Sequence, residues 1–252
     1  MTEDVTGVWR RLAAEPGTVL LDGFHAVKHA LRFGADVPLV VTSDRAGMLA
    51  LAARLAPDLT ERLDRDARDA AAGQLRGLTA TRQHTNVAAL ARRPEVARLD
   101  RHDGRRGPTV VLVEPRHLGN VGATVRVAAG LGAAAVLTTG TADPWHPDAI
   151  RGSAGLHFAV PTRRVDDGEL GELAGPLLAV DPAGHDVRAL RIPDDAVLAF
   201  GSERGGLPPS VLARADDTLA IPMRPGVSSY NLATSVAMVL YQWTLQAGGG
   251  RR

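Results

Sequence analysis

The sequence has no cysteine and no long apolar run. With no thiol among 252 residues, disulfides, thiolate zinc sites and cysteine nucleophiles are excluded, so any chemistry must use oxygen and nitrogen side chains or a cofactor. No apolar stretch approaches the roughly 18 residues that span a bilayer, and the N-terminal MTEDVTGVWRRL has no apolar signal core. We expect a cytoplasmic protein without a membrane partner.

Lysine is almost absent as well. Lys28 is the only lysine, and the other basic residues counted in the total of 29 are arginines. Arginine binds phosphate through a bidentate fork and stacks on bases, so this composition suits RNA. A GC-rich genome would also favour arginine codons, and the net charge of +1 does not choose between these interpretations because local patches attract acidic partners.

The N-terminal part predicts a small α/β domain over residues 1–91. Strand-like and helix-like patterns alternate there, at residues 18–21, 24–33, 38–42 and 46–56. The segment RRPEVARLDRHDGRRGP follows at 92–108. Because it is charged and ends in Gly-Pro, we interpret it as an interdomain linker.

Residues 109–252 predict a second, larger α/β domain. The domain opens with TVVLVEP, a β-branched run typical of a strand buried on both faces. Further strands are expected at 133–139, 177–181, 196–201 and 218–222, with helices at 121–131 and 230–246. This alternation predicts a mostly parallel sheet covered on both sides. Ligands bind such sheets at the carboxyl ends of the strands, so the following loops should carry the function.

Three polar, glycine-containing segments occupy those positions. The first is LGNVGATVRVAAGLG with Asn120 and Arg126, and the second is FGSERGGLPPSVL with Glu203. The third is IPMRPGVSSYNLATSVAMVLYQW, in which Ser228 and Asn231 precede a helix whose N-terminal amides favour an anion or an electronegative group. Each segment alone is weak evidence, because Glu203 could be a solvated side chain and Ser228 a helix cap.

The sequence GNVGA also resembles the glycine turn of a nicotinamide-dependent dehydrogenase. That fingerprint needs a glycine where His117 stands. It also needs an acidic residue about twenty positions after the turn, where this chain has Thr138 and Thr139. We therefore reject a dinucleotide site.

Together the three segments resemble the SpoU/TrmH family of RNA 2′-O-ribose methyltransferases, within the SPOUT class. The resemblance runs from about Thr109 to Trp243. The matching residues are Asn120, Gly122, Ala123 and Arg126; Gly201, Glu203, Gly206 and Leu207; and Ile221, Pro222, Met223, Ser229 and Asn231. The N-terminal LDGFHAVKHAL is similar to the small RNA-recognition domain of longer members. There His25 and Lys28 are candidates for RNA contact, although such residues are more often only solvated.

The resemblance implies a fold, a cofactor and a substrate. The fold is a parallel-sheet α/β domain with a trefoil knot, preceded by a small α/β RNA-recognition domain. The implied enzyme is a metal-free homodimer that uses S-adenosylmethionine to methylate a ribose 2′-hydroxyl, in ribosomal RNA rather than transfer RNA. A transfer RNA methyltransferase and a non-catalytic RNA-binding module remain the alternatives. The residues implied to bind the cofactor through their backbones are Gly201, Ile221, Met223 and Tyr230.

The resemblance also assigns catalytic roles. Arg126 is the centre of substrate activation. Deprotonating its guanidinium at neutral pH would cost roughly 7 kcal/mol, so we expect Arg126 to stay charged and to grip an RNA phosphate, which positions the hydroxyl and itself takes the proton. Asn120 and Asn231 would hold the ribose or neighbouring backbone. Glu203 would fix Arg126 or the adjacent loop by a charge-assisted bond, and Ser229 would hydrogen-bond substrate or loop.

Overall fold

The computed structural model describes most of the chain, namely residues 4–79, 85–96 and 107–247. The chain divides into two compact units. The first comprises Met1–Glu95 with Ala154–Ala159, and the second comprises Val96–Ser153 and Val160–Arg252. Most of the predicted linker at 92–108 lies outside the described residues.

The first unit contains a four-stranded mixed sheet in the order β1-β4-β2-β3. Its strands are β1 Thr18–Asp22, β2 Leu39–Thr42, β3 Ala67–Asp69 and β4 Val87–Arg92. Strand β4 is antiparallel to both β1 and β2, whereas β2 and β3 are parallel. Its helices are α1 Val5–Ala13, α2 Phe24–Arg32, α3 Arg45–Leu55, α4 Thr60–Asp66 and α5 Ala72–Leu78, with short 3-10 helices at Pro57–Leu59 and Leu156–Phe158.

Helix α2 carries His25 and Lys28, the two candidates for RNA contact, and these residues differ in burial. Its apolar residues Phe24, Val27 and Leu31 are buried at helical spacing, as an amphipathic helix requires. His25 is exposed, but Lys28 is only 9% exposed. The interpretation of Lys28 as a solvated residue is therefore wrong, because the residue is buried.

The second unit contains a six-stranded sheet in the order β10-β8-β9-β5-β6-β7. All neighbouring strands are parallel, which confirms the predicted parallel sheet. The strands are β5 Thr109–Leu112, β6 Ala135–Thr138, β7 Thr162–Arg164, β8 Leu177–Asp186, β9 Val197–Phe200 and β10 Asp217–Ala220. The helices are α6 Leu118–Leu131, α7 Pro147–Ser153, α8 Asp167–Glu172, α9 Pro209–Leu212 and α10 Leu232–Ala247.

Hydrophobic cores cover both faces of this sheet. Along β5, Val110 and Leu112 pack into one core with residues of α6 and α10. Val111 faces the opposite core, which includes residues of α8 and α9. The alternation follows from the pleat, which directs successive side chains to opposite faces. Among the described residues, no helix combines the length and apolarity needed to cross a bilayer.

Both helix starts predicted for the second unit differ from the structure. Helix α6 begins at Leu118, three residues before the predicted start at Val121. Helix α10 begins at Leu232 rather than at Tyr230. In the second case the cause is local: the Asn231 side chain accepts backbone N–H groups of the first turn, so Asn231 caps the helix and does not belong to it.

Candidate active site at the carboxyl edge of the parallel sheet

A cavity of about 770 Å³ lies where segments following several strands of the parallel sheet converge. Its walls come from the residues after β5 and β9, from the irregular part of β8 and from the segment between β10 and α10. This is the edge at which parallel α/β sheets bind ligands. The volume falls in the range of roughly 300–1,000 Å³ that is typical of small-molecule sites.

The cavity brings together eight of the nine residues predicted for the site. They come from all three sequence segments, and they are Asn120, Gly201, Glu203, Ile221, Met223, Ser229, Tyr230 and Asn231. The individual roles of these residues remain predictions.

Arg126 is the ninth predicted residue, and it does not line the cavity. It is exposed on α6, six residues beyond Asn120, which turns its side chain about 120° around the helix axis. No described residue forms an ion pair with it. Glu203 is expected to bind either Arg126 or the adjacent loop. The structure shows hydrogen bonds between Glu203 and the loop and none with Arg126.

Glu203 joins the loop after β9 to the start of α6. Its Oε2 accepts the backbone N–H of Arg116 at 3.0 Å. Its Oε1 accepts the backbone N–H of His117 at 3.3 Å and the Nδ2 group of Asn120 at 2.8 Å. Burial raises the pKa of Glu203, but the hydrogen bonds from Asn120 and from the Arg116 amide outweigh it, so the pKa lies below its usual value of 4.5. The carboxylate is therefore ionised at neutral pH.

The hydrogen bonds continue from Asn120 to the last helix. Asn231 donates its Nδ2 group to Asn120 Oδ1 at 3.0 Å. Asn231 Oδ1 accepts the backbone N–H groups of Ala233 at 3.0 Å and Thr234 at 3.3 Å. A single chain of hydrogen bonds thus ties the three motif segments together across the mouth of the sheet.

The loop that carries Glu203 is a tight turn that requires glycine at two positions. Ser202 and Gly206 exchange both backbone hydrogen bonds at 3.1 Å. A Cβ on Gly201 would lie 2.1 Å from the Gly206 carbonyl carbon. Gly206 itself has a φ of +64°, a left-handed conformation that side chains disfavour. The turn therefore holds the carboxylate at a fixed position relative to the sheet.

Gly122 has a packing role. A Cβ there would meet the Ala149 carbonyl oxygen at 2.1 Å, so the glycine lets α6 approach α7 closely. Gly119, in contrast, faces open space. Of Gly119 and Gly122, only Gly122 is needed for a close approach to a neighbouring element.

The part of β8 that lines the cavity escaped the sequence interpretation. Pairing between β10 and β8 jumps from Thr218–Ala179 to Leu219–His185, so residues 180–184 have no partner in β10 and form a bulge. The bulge adds Val180, Asp181 and Pro182 to the wall. A proline and a glycine inside a strand-like run are the signal that could have predicted this irregularity.

A shallower depression of about 670 Å³ adjoins the cavity and shares His117 and Asn120 with it. Its wall includes the basic side chains of Arg116 and Arg151. Arg151 also forms an ion pair with Asp148. The depression thus places cationic groups directly beside the cavity.

This architecture defines an α/β protein with a cavity at the carboxyl edge of a parallel sheet. The family model described as the SpoU rRNA Methylase family matches residues 107–241, which form the sheet and the cavity walls. The chain therefore belongs to the SpoU rRNA methylase family, as the resemblance of the three motifs predicted.

Known relatives match one or both units. A 23S rRNA (uridine(2479)-2′-O)-methyltransferase from Streptomyces viridochromogenes is 32% identical over 56% of this chain and 54% of its own length. The 23S rRNA (guanosine(2553)-2′-O)-methyltransferase RlmP from Bacillus subtilis is 25% identical over 92% of this chain and 93% of its own. The chain covers only 54%, 26% and 47% of the first three curated relatives that it matches.

A solved structure shares the whole fold. The SpoU methyltransferase AviRb from Streptomyces viridochromogenes, determined in complex with AdoMet, superposes with a TM-score of 0.77 over 98% of both chains, at 23% identity. At this identity the match shows the fold alone.

Proposed function

We propose that the protein is an S-adenosylmethionine-dependent RNA methyltransferase that modifies a ribose 2′-hydroxyl. The observation that carries this proposal is the cavity in which all three motif segments meet, within the residues matched by the family model. The names of both relatives, each a ribose 2′-O-methyltransferase of 23S rRNA, support the same reaction.

The cavity suits S-adenosylmethionine in size and in chemistry. Its walls combine the close backbone of the turn at 200–206 with polar and apolar side chains, as sites for small cofactors do. We propose that the backbone groups of Gly201, Ile221, Met223 and Tyr230 hold the cofactor. When bound, S-adenosylmethionine supplies the electrophilic methyl group, so the protein has mainly to orient the ribose oxygen.

The adjoining depression is the proposed path of the RNA backbone. Arg116 and Arg151 offer guanidinium groups to phosphates next to the cofactor cavity, and such contacts set the register of a nucleic acid. Arg126, exposed on α6, would grip a further phosphate, and that phosphate would position the ribose hydroxyl and take its proton. Ser229 lines the cavity and would bind the substrate or the loop.

A second copy of the chain is the proposed partner of α10. Tyr241 and Leu245 lie one helical turn apart and are each 57% exposed. Val227 and Tyr230 are also large apolar residues at the surface, at 42% and 40%. Exposed apolar side chains favour an interface, and a homodimer that covers Val227 and Tyr230 would lie beside the cavity that Tyr230 lines.

The trefoil knot and the division of labour are also proposals. Residues 221–231 leave the edge strand β10 and reach Asn120, which follows the central strand β5, a return path consistent with a knotted chain. For the first unit we propose RNA recognition, with residues 1–91 as an RNA-binding domain, 92–108 as its linker and 109–252 as the methyltransferase domain. The long match to RlmP, which spans both units, favours ribosomal RNA as the substrate.

Comparing 2′-O-methylation in total RNA from cells with and without the gene tests the function. We expect one ribosomal site to lose its methyl group and to regain it when purified protein and S-adenosylmethionine are added. A lost site in transfer RNA would correct the substrate. Unchanged RNA together with no binding of S-adenosylmethionine would leave a non-catalytic RNA-binding module.

A further inference from the structure

The two asparagines of the site lie between neighbours that fix which way their amides point. An amide side chain donates at one end and accepts at the other, and its partners decide the orientation. At one end of the chain the ionised carboxylate of Glu203 only accepts. At the other end the backbone N–H groups of Ala233 and Thr234 only donate.

The observed orientations are the only ones that satisfy both ends. Asn120 turns its Nδ2 group to Glu203 at 2.8 Å, which leaves its Oδ1 for Asn231. Asn231 donates Nδ2 to that oxygen at 3.0 Å, which leaves its own Oδ1 for the backbone of α10. Each donor in the series therefore points towards Glu203, and each acceptor towards α10.

We propose that Glu203 is a positioning residue whose acceptor-only carboxylate sets the direction of this chain. In the proposed methyltransferase, Asn120 and Asn231 are then positioning residues as well, because each amide passes the hydrogen-bond direction to the next group in the series. The chain joins the segment before α6, the turn after β9 and the cap of α10, which together wall the cavity. Its direction holds the cavity in the shape that receives the cofactor.

The variant Asn231→Asp tests the direction of the hydrogen bonds without removing the helix cap. Aspartate caps helices as well as asparagine, so the first turn of α10 keeps its acceptor. The new carboxylate, however, faces Asn120 Oδ1 without a donor, and Asn120 cannot turn because Glu203 needs its Nδ2 group. We expect about tenfold weaker binding of S-adenosylmethionine together with a lower melting temperature.

The double variant Glu203→Gln/Asn231→Asp reverses the whole chain at constant net charge. The new glutamine accepts the Arg116 amide and donates to Asn120, which turns and donates to the new aspartate at the start of α10. Only the longest bond, from the His117 amide at 3.3 Å, loses its acceptor. We expect the affinity for S-adenosylmethionine to return to within about threefold of the wild-type value.

The control is Glu203→Gln/Ser228→Asp, which places the charge on the cavity wall but not at the end of the chain. No recovery relative to Glu203→Gln is expected. Melting temperatures measured without cofactor report on the hydrogen-bond chain alone. A wild-type protein that does not bind S-adenosylmethionine would therefore refute the proposed function, but the melting temperatures would still test the hydrogen-bond chain. The directional hydrogen-bond chain would be overturned if Asn231→Asp kept the wild-type affinity and melting temperature. It would also be overturned if the double variant bound S-adenosylmethionine no more tightly than Asn231→Asp.

Discussion

The two units use the same alternation of strands and helices but build sheets of different kinds. In the first unit the central strand β4 runs antiparallel to both its neighbours. In the second unit every pair is parallel. Only the parallel sheet brings the carboxyl ends of its strands to one edge, and there the motif segments meet. The parallel arrangement thus brings the three motif segments to the cavity of the second unit.

Gly201→Ala should give the largest effect, because it disturbs the turn after β9 that walls the cavity of the second unit. The added methyl group would lie 2.1 Å from the backbone of Gly206, so the turn carrying Glu203 must move. We expect at least about a hundredfold loss of affinity for S-adenosylmethionine by calorimetric titration, a loss of about 3 kcal/mol.

Gly119→Ala is the matched control for that variant. Gly119 lies in α6 with no atom within 4 Å of an added Cβ, and alanine favours a helix over glycine by up to about 1 kcal/mol. Its melting temperature should equal or exceed that of the wild type. Equal cofactor binding by Gly201→Ala and Gly119→Ala would mean that the turn after β9 does not shape the cavity.

Arg126→Lys should separate catalysis from cofactor binding within the second unit. Lysine keeps the charge but loses the planar fork that we propose aligns the RNA phosphate. Single-turnover methylation should fall by about a hundredfold, with cofactor affinity and melting temperature unchanged. Wild-type turnover would remove Arg126 from the mechanism, whereas a collapsed melting temperature would make it a structural residue.

Gly155→Ala extends the comparison to the first unit. Gly155 has a φ of +77°, and its added Cβ would lie 2.6 Å from the Ala26 carbonyl oxygen, so α2 or the segment 154–159 must shift. If the first unit recognises RNA independently, RNA affinity should fall about tenfold, while S-adenosylmethionine affinity stays within about twofold. Filter binding and calorimetry on one preparation would measure both, and a parallel loss would show that the units are not independent.

Sequence patterns predicted the buried strands of the second unit and eight of the residues around the cavity, but not the details that depend on tertiary contacts. Strand β7 has only three residues, too few for a periodic pattern. Helix α6 includes Gly119 and Asn120, which are weak helix formers, and Asn120 is held there by a carboxylate 83 residues away. No local rule contains such a partner.

The orientation of Arg126 was beyond the sequence for another reason. A motif places a residue in a segment, but a helix turns its side chains around an axis. Asn120 and Arg126 belong to the same motif and the same helix, yet only Asn120 reaches the cavity. Residues of a motif therefore need not share a site within one chain.

The smallest expected effect is the contribution of Glu203 to the pH dependence of stability. Comparing wild type with Glu203→Gln isolates this contribution. The folded-state pKa of Glu203 lies below its usual value of 4.5. A lowered carboxyl pKa stabilises the fold fully at pH values above the unfolded pKa, and the contribution disappears as the pH falls through the folded pKa. The difference in unfolding free energy between wild type and Glu203→Gln should therefore be constant between about pH 6 and 8 and shrink below pH 4.5. Other carboxylates cancel because both variants share them.

Asp186 provides the contrast for this measurement. Its bond with Arg188 lowers its pKa to about 2, but this pair lies at the surface, where water and salt screen it. We would measure the difference in unfolding free energy between wild type and Asp186→Asn by denaturant titration at about 0.5 M salt. The pH dependence of this difference should vanish, whereas that of the difference between wild type and Glu203→Gln should persist. A difference for Glu203 that grows on acidification would mean that the carboxylate is not held in its ionised form.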